Sequence, residues 1–376
     1  MLVGQFYKFF FSFFFLYWYK EPQLFSQPHH WTIFFLESHQ KAMEKLVSSW
    51  YNVQSLPENY IFPPETRPGK EIVPICNKIP VVDLEGTDAT WKILKAIQEF
   101  GFFQVINHGV SERLMNETMS VLKEFFEIDA KDKAKLYSDE PTRICRLYTS
   151  SVNYHNEQVH FWRDNLRHPC HPLQDFIEQW PEKPTRYREI VGACSVQVRQ
   201  LGLRILGMIS EGLGLDNEYL RGDLSKEMLL SVNHYPPCPE PSLSLGLPKH
   251  SDPNLITILN QGDVYGLQVF KDGQWIGVEP IPNAFVINIG LQLQIISNGK
   301  LKSSEHRVVT NSTDARTTAA FFFNPCGDSM IEPAKALTDN ESPPLYRAYQ
   351  YKEFFINYAA KIGNAEAVLE PFKLQA

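Results

Sequence analysis

The chain changes its period near residue 228. From there apolar residues come in short runs, among them MLLSVNHY, LITILNQ, GLQVFKDGQWIGVEPI, AFVINIG, LQIISNG, HRVVTN and RTTAAFFFNP, each broken by Gly, Pro, Asn or Asp. Evenly spaced short strands predict a sandwich or barrel. KDGQW sets a hairpin turn at Asp272-Gly273. Before residue 228 the main period is helical. Tyr187, Ile190, Val191, Cys194, Val198, Leu201, Ile205 and Ile209 form one stripe, stopped by GLGL at 212–215. That stripe predicts a long helix packed along a sheet. Trp91, Leu94, Ile97 and Phe100 predict another helix, capped by Thr87 or Asp88. Leu114, Val121, Leu122 and Phe125 predict a third, capped by Ser111 and interrupted by Thr118. IPVVDL (79–84) and FFQVIN (102–107) read as strands, the second ending in a turn at His108-Gly109. Residues 57–80 form a Pro-rich lead-in, 127–183 show no clear period, and a last helix is expected near 346–360.

Composition narrows the class. The 376 residues are 43% hydrophobic and 21% charged, a globular balance. A net charge of −7 gives no basic face for nucleic acid. Six cysteines, at 76, 145, 170, 194, 238 and 326, form no CxxC pair and read as reduced thiols in a cytoplasmic protein. The first 42 residues stand apart. Phe9 to Tyr19 is an uncharged run of eleven between Lys8 and Lys20, shorter than the ~20 residues a spanning helix needs. Residues 1–42 are expected to be a non-native or leader extension, with a membrane anchor as the alternative. No membrane partner is expected otherwise.

One stretch carries chemistry. In GLPKHSDPNLITIL, His250 and Asp252 lie two apart at the mouth of an apolar run. In an extended chain, residues i and i+2 point the same way. An imidazole and a carboxylate make a partial metal site, and a second imidazole from another strand completes the two-His-one-carboxylate face that suits Fe(II). Alone, an HxD pair is more often structural. His306 opens a later strand, and ten residues on stands Arg316, whose fork suits a carboxylate. A solvent-facing strand Arg is an equal reading on spacing. His168, Cys170 and His171 suggest zinc but lack a second ligand pair. No G-x-S-x-G, P-loop or G-x-G-x-x-G occurs.

NHYPPCP, GLPKHSDPNLITIL, GLQVFKDGQW, NIGLQLQIISNGKLKSSEHRVV and ARTTAAFFFNP, in this order, resemble the plant iron(II)- and 2-oxoglutarate-dependent dioxygenases. GFFQVINHGV and HFWRDNLRHPCHP resemble that family's N-terminal half, so the likeness covers about residues 45–375. It looks nearest to the hyoscyamine hydroxylase-like and downy-mildew-resistance-like branches. The resemblance implies an α+β fold: a distorted double-stranded β-helix, or jelly roll, with flanking helices including one long helix. It implies a helix-rich region over 43–225, a catalytic core over 226–330 and a helical segment over 331–376.

By the same resemblance, His250, Asp252 and His306 are the iron ligands. Arg316 and Tyr235 hold 2-oxoglutarate, with Thr318 and Asn233 close by. The implied reaction converts 2-oxoglutarate and O2 to succinate and CO2 while a small plant metabolite is hydroxylated or desaturated, with ascorbate as a helper. An iron oxidase of the same fold that spares 2-oxoglutarate, or a non-catalytic binding protein, are the alternatives. Two positions depart from the family pattern: Thr318 replaces its usual Ser, and Leu291 stands where Asp is common. Tyr148, Leu291, Phe321 and Phe323 are the candidates for the substrate side. Phe321 and Phe323 share a face that is either core or pocket. If it is pocket, the site is apolar, and a neutral or weakly charged phenolic or alkaloid is expected.

Overall fold

Among residues 44–50, 53–70, 73–74, 79–361 and 364–374, which the computed structural model describes, two sheets lie face to face. The leader reading of residues 1–42 falls outside that range. The strands are β1 (Val81–Asp83), β2 (Phe102–Ile106), β3 (Arg146–Thr149), β4 (Asp164–His171), β5 (Glu227–Tyr235) and β6 (Leu245–His250). They continue with β7 (Ile256–Asn260), β8 (Leu267–Lys271), β9 (Gln274–Gly277), β10 (Phe285–Ile289), β11 (His306–Val309) and β12 (Arg316–Asn324). The larger sheet runs β1-β2-β10-β7-β12-β5-β4-β3, and the smaller runs β6-β11-β8-β9. This is the jelly-roll core. Its larger sheet takes both edges from the N-terminal half, β1 and β2 on one side, β3 and β4 on the other.

Helices cover the outer face of the larger sheet: α1 (Ala89–Phe100), α2 (Glu112–Glu127) and the 26-residue α3 (Tyr187–Gly212). Along α3, Val191, Cys194, Val198, Leu201, Ile205 and Ile209 are buried against the sheet, as their stripe predicts. Gly202 permits a close approach: a Cβ there would lie 2.0 Å from Cζ of Phe323. Ser111 caps α2 by accepting from the Leu114 N–H at 3.4 Å. The hairpin turn at Asp272-Gly273 forms, with φ of 50° and 81°.

Three local expectations differ. In α1 the buried stripe is Ala89, Ile93, Ala96 and Ile97, and Trp91 is 61% exposed. Small alanines complete that stripe, so large side chains alone misplace it. LQIISNG is helical, as α4 (Leu291–Ile296), because an apolar run buried on all sides does not distinguish strand from helix. β3 and β4 arise in the stretch without a clear period, since Asp164, Arg167 and Pro169 mask the alternation in β4. The helix expected near 346–360 is α5 (Tyr351–Ala360), and a short helix over Ala365–Leu369 follows it. Among the described residues, no helix is long and apolar enough to cross a membrane. The described cysteines are unpaired, and only Cys326 is not buried.

Candidate active site

Antiparallel pairing of β6 with β11 sets His306 opposite His250, bringing the ring centres to 4.1 Å. Asp252 follows two residues past the end of β6. Its Oδ1 lies 3.6 Å from Nε2 of His250 and 3.7 Å from Nε2 of His306. Ligand atoms of all three buried residues fall within 4.8 Å of one another. The orientation is built in. Nδ1 of His250 donates to the Pro248 carbonyl at 2.9 Å, and Nδ1 of His306 to the Ser304 carbonyl at 3.3 Å. A carbonyl only accepts, so each Nδ1 carries a proton and each Nε2 is turned to the centre.

Asp252 is anchored from behind. Its Oδ2 accepts from the Thr257 hydroxyl at 2.6 Å and from the Asn288 side-chain amide. Its backbone carbonyl accepts from the Leu291 N–H at 2.8 Å. Gly290 makes that last contact possible, because a Cβ there would lie 1.9 Å from the Asn254 carbonyl oxygen. Burial, and then repulsion from His250, push His306 down to about 4, so its imidazole is neutral at pH 7. Burial raises the Asp252 carboxyl, but the facing imidazoles and Thr257 outweigh it and hold the group below the usual range. Two imidazoles held through Nδ1 and one carboxylate, all preset, fit a ferrous ion with open coordination positions.

A second group of residues sits where the sheets approach each other. β12 pairs with β5 so that Arg316 faces Tyr235 and Thr318 faces Asn233. Arg316 is 2% exposed, and its guanidinium carbon lies 5.4 Å from the Tyr235 ring centre. Its Nε donates to the Val264 carbonyl at 2.9 Å. Its Nη2 is buried with no partner among the described residues. A buried cation with an orphaned donor calls for an anion, and a carboxylate of 2-oxoglutarate fits that demand. Asn233 belongs to a network: its Oδ1 accepts from Arg163 Nη1 at 2.7 Å and from Asn165 Nδ2 at 2.8 Å.

A cavity of about 550 Å³ lies between the sheets, with His250, Asp252 and Tyr148 in its wall. Of the four substrate-side candidates, only Tyr148 reaches it. Strand parity explains why. Arg316, Thr318, Ala320 and Phe322 share one face of β12, and Phe322 lines the cavity. Phe321 and Phe323 point the other way, into the core beneath α3. Leu291 is also core, and its backbone holds Asp252. Residues not singled out in the sequence complete the wall, including Arg146, Arg167, Ser231, Phe355 and Tyr358. The parity of Arg316 points to Phe322, but nothing in the irregular 127–183 stretch points to the two arginines.

A jelly roll with a buried two-His-one-carboxylate cluster at its mouth defines a non-haem iron oxygenase. The sequence places it further. Residues 226–325 match the 2OG-Fe(II) oxygenase superfamily, and residues 79–183 match the N-terminal region of non-haem dioxygenases in morphine synthesis. The chain is 44% identical over 336 residues to Protein DOWNY MILDEW RESISTANCE 6 of Arabidopsis thaliana, covering 87% of this chain and 98% of that one. It is 44% identical over 345 residues to hyoscyamine 6-dioxygenase of Hyoscyamus niger, covering 88% and 99%. The crystal structure of JOX2 in complex with 2OG, Fe and JA superposes with a TM-score of 0.77 at 35% identity, covering 90% of this chain and 97% of that one. The chain belongs to the 2OG-Fe(II) oxygenase family, and it is a dioxygenase that uses iron(II) and 2-oxoglutarate.

Proposed function

We propose that His250, Asp252 and His306 hold the iron, that Arg316 and Tyr235 hold the distal carboxylate of 2-oxoglutarate, and that Thr318 and Asn233 border it. The substrate is a small plant specialised metabolite, as the names of the hydroxylating relatives suggest, and it is hydroxylated or desaturated in the cavity beside His250. The carrying observation is the pair of preset features: three ligand atoms converging on one point, and the orphaned Nη2 of buried Arg316. Iron(II) with 2-oxoglutarate supplies the oxidising chemistry, in which 2-oxoglutarate and O2 give succinate and CO2 and a substrate C–H bond is oxidised.

The chain's own residues bind, orient and exclude. Pro248 and Ser304 fix the two imidazoles, and Thr257 and Asn288 fix the carboxylate. Phe102 packs its edge on His306 at 5.2 Å between ring centres, keeping water from that side. Leu229, Phe322 and Tyr358 wall the substrate space. We place the enzyme in the cytoplasm, with ascorbate as a helper and without a nucleic-acid or membrane partner. Anaerobic titration of the full chain with Fe(II) tests the ligand set. One ion per chain is expected for wild type and none for His306→Ala. Equal uptake by that variant overturns the assignment.

A further inference from the structure

We propose that the substrate is a small organic acid whose carboxylate is received by Arg146 and Arg167. The inference rests on the dioxygenase reading above and deepens it. Strand register brings the two arginines together: β3 pairs with β4 so that Arg146 stands opposite Arg167. The same row continues through Ser231 of β5 to Ala320 of β12, on the face that bears Arg316 and Phe322. Both arginines line the cavity that holds His250 and Asp252.

Among the described residues, neither guanidinium has an ion-pair partner, and no hydrogen bond reaches the guanidinium of Arg146 or of Arg167. Arg146 is 5% exposed, and its one close partner is the Tyr148 ring, 4.9 Å from the guanidinium carbon. Burial lowers its pKa most and repulsion from Arg167 adds to this, offset in part by Tyr148 and by Asp139, which lies beyond ion-pair distance. Two like charges held side by side in a partly dry wall are costly unless an anion joins them.

The rest of the cavity does not supply one. Its wall carries Arg143, Arg146, Arg163 and Arg167 against a single acid, Asp252. Asp252 is committed to Thr257, Asn288 and the metal centre. Arg163 is spent on the Ser150 carbonyl and Asn233, and Arg143 on the carbonyls of Tyr137 and Lys135. The chain as a whole carries −7, so this cavity is opposite in sign to the chain's net charge. A planar carboxylate matches the guanidinium fork, whereas an ammonium is repelled. The remaining walls, Tyr148, Phe161, Phe322 and Phe355, are suited to a flat apolar body. The arginine pair therefore replaces the neutral or weakly charged ligand expected from Phe321 and Phe323 with an anionic one.

Calorimetric titration of the full chain, loaded with Mn(II) and 2-oxoglutarate, tests the inference. The probes are benzoate, phenylacetate and cinnamate, each beside its methyl ester, with benzylamine as the cation. At least one acid is expected to bind at least tenfold tighter than its own ester, and benzylamine is expected not to bind. In Arg146→Gln and Arg167→Gln the acid-to-ester ratio should fall to near one, with partial recovery in Arg167→Lys. A melting curve checks each variant's fold, and the less buried Arg167 provides the test if Arg146→Gln does not fold. Equal binding of acids and esters, no binding of any acid, preference for the amine, or an unmoved ratio in Arg167→Gln overturns the proposal. Loading with Mn(II) and 2-oxoglutarate is measured first, so a failure there strikes the dioxygenase reading instead.

Discussion

Replacing Thr257 by Val should weaken iron binding without unfolding the protein. The Thr257 hydroxyl donates to Oδ2 of Asp252 at 2.6 Å, in a site that is 4% exposed at Thr257 and 3% at Asp252. Val keeps the shape and the β-branch, so the strand is unchanged and what is lost is the hydroxyl, which donates to Asp252 and accepts from Asn254 Nδ2 at 3.2 Å. A hydrogen bond to a charged group contributes about 1.5–3 kcal/mol. Converted at about 1.4 kcal/mol per decade, that is roughly a 10–100-fold loss, the range typical when a partner behind a metal ligand is removed. Asn288 still holds the carboxylate, so the lower half of that range is expected. Anaerobic titration with Fe(II), with a melting curve beside it, reads the effect. A variant with wild-type affinity and melting temperature would show that Thr257 does not orient Asp252, and the account of the preset carboxylate would fail.

Arg316→Lys should raise the 2-oxoglutarate concentration needed for turnover by about tenfold or more, because a point charge replaces a two-donor fork; Thr318→Ser, which keeps the hydroxyl, should change it little, and unchanged kinetics in the lysine variant would place the anion elsewhere. Phe323→Ala should cost about 3–5 kcal/mol of stability, as a fully buried ring is removed from beneath α3. Phe322→Ala should cost less stability and instead alter which compounds stimulate turnover; the opposite ranking would reverse the assigned faces of β12. His168 is fully buried against the Tyr187 hydroxyl at 2.9 Å, and burial pushes it from 6.5 down to about 4. The unfolded chain gains that proton first as pH falls, so stability is complete above about 6.5 and declines toward the folded value. At pH 5, 1.5 units below the ordinary value, the loss is about 2 kcal/mol at about 1.36 kcal/mol per unit. Urea unfolding at pH 7.5 and 5 reads it, and a pH difference undiminished in His168→Asn would assign it to other groups.

Much of this architecture is legible because its elements obey one period at a time. The α3 stripe, the β5 and β12 runs and the HxD turn each declare themselves locally, and the family motifs fix their order. What is not legible depends on partners far away in the chain. Trp91 is the most conspicuous apolar residue of α1, yet it faces water because Ala89 and Ala96 fit against neighbouring elements where an indole does not. The LQIISNG run turns into helix α4 at Gly290, whose tight contact with Asn254 cannot be seen in one dimension. Phe321 and Phe323 share a face, as expected, but their parity against Arg316 sends them to the core and Phe322 to the cavity. β3 and β4 carry the arginine pair on strands whose alternation is broken by charge and by Pro169, so the pairing of Arg146 with Arg167 emerges only from the register.

The central claim is that the His250, Asp252 and His306 cluster drives iron-dependent oxidation of 2-oxoglutarate. Succinate release by the full chain, supplied with Fe(II), 2-oxoglutarate, O2 and ascorbate, measures it directly beside folded His306→Ala. Wild type should form succinate only when iron is present, and His306→Ala should form none above the iron-free background. Equal succinate from both proteins, or none from an iron-loaded wild type, would contradict the account.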